Sequence, residues 1–150
     1  MEAQRFVGEI LRTKAPEVIS VTPGRTMVEV LQLFRDNNIG FVVAARSPGG
    51  YLGTLSERDC CNAVADYGSE APLMRVADFM NRSVATCSIK DRLSMVMEIM
   101  TKRRTRHVLV MDDDAIVGVV SIGDVVKHRL EESLRNEQVL HDYICGTGYH

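Results

Sequence analysis

Short apolar runs alternate along this chain with longer stretches whose apolar residues recur three and four apart, and the whole series occurs twice. Runs at 18–21, 41–45 and 51–55 read as strands. Between the first two, Val30, Leu31, Leu33 and Phe34 share one face of a helix that Thr26 is placed to cap. Asn37-Asn38-Ile39-Gly40 ends that helix, with Gly40 expected at the positive φ. Ser47-Pro48-Gly49-Gly50 reads as a turn, Ser56 as the cap of a helix to about Tyr67, and Gly68 as its stop. The second series predicts strands at 84–87, 107–111 and 116–120, with a turn at Asp112-Asp113-Asp114. Asp91 is expected to cap a helix through Leu93, Val96, Met97 and Met100. Ser121 opens the last helix, which meets no Pro or Gly between Val125 and Ile144 and is predicted to run long.

The two series are copies. Residues 18–44 align without a gap on 84–110, and Gly53-Thr54-Leu55-Ser56-Glu57-Arg58-Asp59 aligns on Gly118-Val119-Val120-Ser121-Ile122-Gly123-Asp124. Val7-Gly8-Glu9-Ile10-Leu11 precedes the first copy as Val76-Ala77-Asp78-Phe79-Met80 precedes the second. Repeat boundaries follow at 7–68 and 76–130, with a linker at 69–75 and a helical extension and tail at 131–150. Each repeat, at about 65 residues, is near the lower limit for an independent core, so the two are expected to pack as one unit.

Within the copies, a Gly, a hydroxyl and a carboxylate recur at fixed spacing. Where a strand runs into a helix, a capping Ser leaves first-turn N–H groups facing outward in a partly positive field, which suits a phosphate. The Asp three residues on lies close to that opening, and its free lone pairs can accept both hydroxyls of a ribose diol. The same spacing also suits a capping box, in which the Asp answers the N–H of the Ser. Arg58, Arg106 and His107 stand near these segments and are candidates for meeting phosphate. Lys102, Arg103 and Arg104, at a helix C-terminus, read as solvated surface favoured by the helix dipole.

Composition narrows the classes. Of the 150 residues 45% are hydrophobic and 25% charged, the balance of a globular protein. A formal net charge of -2 gives no electrostatic reason to expect nucleic acid or an anionic membrane. The first sixteen residues carry charges throughout and lack the apolar core of a signal peptide, and no run approaches the roughly 18 apolar residues of a membrane span. Cys60, Cys61, Cys87 and Cys145 form no C-x-x-C pair and read as reduced thiols, so a cytoplasmic location is expected. No metalloprotease, P-loop or nucleophile-elbow motif is present, and the acidic turn at Asp112 to Asp114 has no further ligand in the sequence. We therefore expect no catalytic residues, no metal and no catalytic cofactor.

These residues together resemble the tandem cystathionine-β-synthase (CBS) domain pair, or Bateman module, of the stand-alone bacterial type. The likeness rests on Val18-Ile19-Ser20-Val21, Ile39-Gly40-Phe41-Val42-Val43 and Gly53…Ser56-Glu57-Arg58-Asp59. The second copy adds Val84-Ala85-Thr86, Arg106-His107-Val108-Leu109-Val110 and Gly118…Ser121-Ile122-Gly123-Asp124. The resemblance implies an α/β (α+β) fold of two βαββα repeats about a pseudo-twofold axis, with small mixed sheets packed on helices. It implies clefts that bind an adenine nucleotide, AMP first, with ATP or NAD(H) as alternatives. Asp59 and Asp124 would grip ribose, each in its own cleft. Ser56, Glu57 and Arg58, with Ser121, Ile122 and Gly123, would line the sugar-phosphate side. Ile19, Ser20, Ala85 and Thr86 would surround the adenine, while Gly40, Phe41, Arg106 and His107 would frame phosphates or the entrance. The family often has a small residue where Phe41 stands, so the ring is expected to narrow one cleft. Because Arg106 and His107 occur only in the second copy, the Asp124 cleft is expected to be the better site. The function implied is a non-catalytic sensor that forms a homodimer and reports to a downstream protein partner. The alternative is a structural dimerisation module without ligand.

Overall fold

Each duplicated series folds as its periodicity predicts, into a three-stranded sheet with helices against it. The computed structural model describes residues 5–14, 18–47 and 50–145. In the first half, β1 (Ser20–Val21) lies parallel to β2 (Phe41–Ala45), which is antiparallel to β3 (Tyr51–Ser56). In the second, β4 (Thr86–Ser88), β5 (His107–Asp112) and β6 (Ala115–Ser121) repeat that order. Helices α2 (Met27–Asn37) and α3 (Glu57–Tyr67) complete the first βαββα unit, and α5 (Leu93–Arg103) and α6 (Ile122–Ile144) the second. Registers match: Phe41 pairs with Ser56 as His107 pairs with Ser121.

The short helices that precede the repeats change places. Val7 and Ile10 of α1 (Val7–Arg12) are buried with Leu93, Val96 and Val108 in the core of the second half. Val76 and Met80, on and beside α4 (Val76–Phe79), are buried with Val30, Val42 and Leu55 in the first. Backbone bonds repeat the exchange, Gly8 N–H to Ile89 O at 3.0 Å and Ala77 N–H to Pro23 O at 3.0 Å. Burial of each leading helix in the opposite half ties the two into one unit, since neither core is complete without the other. Between α3 and α4 the predicted linker winds as a 3-10 turn, Gly68–Leu73, with Ala71 wholly buried in the first core.

The repeated glycines mark where those exchanged segments cross. A Cβ on Gly53 would lie 2.6 Å from the Asn81 carbonyl oxygen, and one on Gly118 would lie 2.7 Å from Leu11 Cδ2. Leu11 and Met80 are equivalent residues at the ends of the two exchanged helices.

Several predicted details differ. Asn38, not Gly40, takes the left-handed conformation after α2, at φ 53°. A Cβ on Gly40 would lie 3.0 Å from the exposed Glu57 side chain, which would have to shift to admit it. Asp91 does not cap α5: it accepts the Ser88 N–H at 2.8 Å, and Arg92 takes the N-cap position. The first N–H of α5, on Leu93, is satisfied instead by Arg5 O at 2.9 Å, so the exchanged segment replaces a side-chain cap. Pairing in β1 and β4 begins two residues later than the apolar runs. The predicted turn at 47–50 falls partly on residues 48 and 49, and the predicted tail on 146–150, outside the described residues. Helix α6 runs for 23 residues, as its unbroken sequence predicts.

Candidate functional site

Ser56 and Ser121 each sit at the junction of the last strand of a half with the helix that follows. In both, the hydroxyl accepts the N–H three residues on, from Asp59 and Asp124, at 3.2 Å. Each carboxylate answers through Oδ2, accepting the Ser N–H at 2.9 Å (Asp59) or 2.8 Å (Asp124) and the Ser hydroxyl at 3.0 Å. Both aspartates are thus members of capping boxes, and each has its second oxygen, Oδ1, outside the box.

Beside Asp59 a cavity of about 490 Å³ opens between the halves. Gly40, Phe41, Ser56, Glu57, Arg58 and Asp59 line it from the first half. Ala85, Arg106 and His107 line it from the second, so nine of the sixteen predicted residues meet at one place. Ile19, Ser20, Thr86, Ser121, Ile122, Gly123 and Asp124 lie outside this cavity. The carboxylate of one half therefore faces the strand entrance of the other. Phe41 does not close the space: its ring stacks on His107, centroids 4.4 Å apart, and the pair forms a wall.

Arg103 and Arg104 also line the cavity, although the sequence marks them as solvated surface. Of that basic run, Lys102 does point to solvent and pairs with Glu98 at 2.6 Å. The Arg103 guanidinium donates to the Ser83 carbonyl at 2.6 Å and hydroxyl at 3.2 Å. Arg104 adopts φ 51°, where the first half has Asn38. An arginine in the conformation that Asn tolerates is the signal the sequence offered, visible only by aligning the repeats. Arg58 reaches across the cavity to donate to Arg104 O at 3.4 Å. Four guanidiniums thus share the cavity with two carboxylates, Glu57 and Asp59. Among the described residues, Arg58, Arg104 and Arg106 form no ion pair.

Asp124 is differently placed. Lys14 donates to its Oδ2 at 2.6 Å and to Val119 O at 2.7 Å. Burial alone would raise the Asp124 carboxyl, but the Lys14 ammonium and the Ser121 N–H and hydroxyl outweigh it and hold it below its ordinary range. His107 is pushed down from 6.5 to about 4, by burial first and then by Lys14 and Arg106 against the opposing Asp124. It is neutral at pH 7 and adds no charge to the cavity. The Asp124 carboxylate, expected to belong to the better site, is thus held by a lysine that neither duplicated motif contains.

The CBS domain family matches residues 7–66 and 76–131. The chain belongs to the CBS-domain family. A CBS-domain protein of Agrobacterium tumefaciens has a similar structure, with a TM-score of 0.80 and 36% identity over 83% of this chain and 92% of that one. A mitochondrial CBS domain-containing protein of Arabidopsis thaliana is 30% identical over 85% of this chain. The chain spans 64% of the length of that plant protein and 61% of a Methanopyrus kandleri relative that is 26% identical over 81% of this chain. A CBS domain pair solved in complex with 5′-methylthioadenosine and S-adenosyl-L-methionine shares the fold, with a TM-score of 0.74 and 20% identity over 86% of this chain and 98% of that one. The two CBS domains here are the two halves described above, and no helix among the described residues is long and apolar enough to cross a membrane.

Proposed function

We propose that this CBS pair is a non-catalytic sensor that binds a phosphorylated adenosine ligand in the Asp59 cavity. The observation that carries the reading is the juxtaposition there of the guanidiniums of Arg58, Arg104 and Arg106 with the Asp59 carboxylate, which forms no ion pair among the described residues. Asp59 offers Oδ1 to a ribose diol, while unpaired guanidiniums suit the phosphate oxygens that would stand beside it. Their mutual repulsion in a shared space is relieved by an anion. AMP is the first candidate, with ATP and NAD(H) behind it. An S-adenosylmethionine sulfonium would meet the same guanidiniums as a like charge. Ala85, with Val84 and Ser83 before it, would flank the base, since these residues line the cavity from the second half.

The sensor would act in the cytoplasm as a homodimer of CBS pairs. Ile122, Val126, Leu130 and Leu134 are exposed at four-residue spacing along α6 and supply an apolar surface for that association. Val139, Leu140, Tyr143 and Ile144, on the part of α6 beyond the matched family, remain for a downstream protein partner. Since the cavity is built from both halves, a ligand favours one arrangement of the halves by its differential affinity for it.

Thermal unfolding with AMP, ATP, NADH and S-adenosylmethionine tests the reading. At a hundredfold excess over Kd a ligand stabilises by about 2.7 kcal/mol, a rise of several degrees. We expect that rise for an anionic nucleotide and its loss in Asp59→Ala. No rise with any of the four would leave the dimerisation module as the better account.

A further inference from the structure

One of the differences between the two clefts lies at the equivalent positions 14 and 83. Three residues beyond Leu11 and Met80, which meet Gly118 and Gly53, stand Lys14 and Ser83. Ser83 is short, lines the open cavity and accepts from Arg103. Lys14 carries an ammonium on a four-carbon stem, and that ammonium reaches Asp124 Oδ2 at 2.6 Å and Val119 O at 2.7 Å. Val119 occupies the position of Thr54, whose carbonyl accepts the Asn81 N–H at 2.8 Å in the first half. Lys14 thus takes the strand carbonyl that backbone takes in the other half, and also the carboxylate whose counterpart, Asp59, forms no ion pair among the described residues.

The lysine is held there by its neighbours. Val7 and Ile10 are fully buried in the second core, and Leu11 packs on Gly118. Thr13 bonds the Ile10 carbonyl at 2.8 Å and approaches His128 Nε2 at 3.3 Å. Arg5 pairs with Glu131 at 2.9 Å and contacts the His128 ring. With the backbone on both sides of α1 tied down, the ammonium loses little further freedom at Asp124. A diol approaching Asp124 would have to displace a charge-assisted bond and leave a half-buried ammonium unpaired.

We infer that Lys14 fills the second cleft from within, as an internal counter-ion on Asp124, so that each chain takes one ligand, at Asp59. The inference rests on the reading of Asp59 as the ligand's carboxylate. Calorimetric titration of the intact chain with ATP and with AMP counts the sites. Wild type should give one site per chain and Asp59→Ala none. Lys14→Met, which keeps the apolar stem, should give two. Adding Asp59→Ala to Lys14→Met should leave one, lost again on adding Asp124→Ala. Two sites in wild type, or one site in both wild type and Lys14→Met, overturns the inference and leaves the Asp59 reading intact. Binding by Lys14→Met alone supports the internal occupant and overturns the Asp59 reading. With no binding by any variant, NMR titration of the Asp124 carboxyl decides. An upward move in Lys14→Met supports the counter-ion, and an unchanged titration overturns it.

Discussion

Phe41 and His107 occupy one position of the duplicated sequence and stack on each other, ring centroids 4.4 Å apart and planes inclined by 14°. Related positions meet in this way only next to a twofold axis, so the pair marks the pseudo-twofold between the CBS domains. It is also the wall of the Asp59 cavity. Aromatic pairs of this kind contribute about 0.5–1.5 kcal/mol beyond their burial.

Burial of His107 imposes a pH dependence. His107 titrates at about 4 in the folded chain against its ordinary 6.5. Between those values the unfolded chain binds the proton that the folded chain refuses, so stability rises with pH. The contribution is fully present above about 6.5 and is lost as pH falls through 4. Urea unfolding at pH 5 and pH 7 should show that loss in wild type and a smaller one in His107→Phe, which keeps a stacking ring.

The two repeated glycines should respond unequally to alanine. At Gly53 the new methyl meets a backbone carbonyl, Asn81 O at 2.6 Å, which is itself bonded to Thr54 N–H at 2.9 Å. At Gly118 it meets the far end of the Leu11 side chain at 2.7 Å, which can change rotamer. Overpacking costs about 1–3 kcal/mol, and Gly53→Ala should lie in that range with Gly118→Ala below it. Denaturant midpoints compare them.

Thiol labelling reports on the cavity. Cys60 and Cys87 are buried and pushed up to about 12, Cys60 by burial first and then by Asp59, Cys61 and Glu57, and Cys87 by burial and Asp91. Cys61 is exposed and lines the cavity, and Cys145 is exposed on α6's far end. Cys61 and Cys145 should react first, and a bound nucleotide should slow Cys61 without slowing Cys145.

The fold was largely legible because its signals are local. Apolar spacing placed the strands and helices, and Ser56, Ser121 and Thr26 do cap them. What escaped was non-local. No periodicity says that α1 packs in the opposite CBS domain, so nothing pointed Lys14 at Asp124. Helix α5 does without a side-chain cap at Arg92 because Arg5 O arrives from a distance to accept the Leu93 N–H. Arg103 and Arg104 are exposed, as read, but that they border a cavity was hidden because a helix C-terminus explains basic residues by itself. The cavity they enter exists only once the domains are paired.

Arg104 should show a trade between stability and binding. A non-glycine residue at φ 51° carries strain, and the first CBS domain uses Asn at that place. Arg104→Asn should raise stability by about 0.5–1 kcal/mol. It should also weaken an anionic nucleotide about tenfold, the worth of a charge-assisted hydrogen bond near 1.5 kcal/mol. Unfolding and titration on one preparation read both.

The most direct measurement is nucleotide affinity, with AMP and ATP, in Asp59→Ala beside Asp124→Ala, each checked for folding by circular dichroism. The account predicts that Asp59→Ala abolishes binding and that Asp124→Ala leaves it within about twofold, a change of roughly 0.4 kcal/mol. Loss of binding in Asp124→Ala with Asp59→Ala unaffected would contradict it.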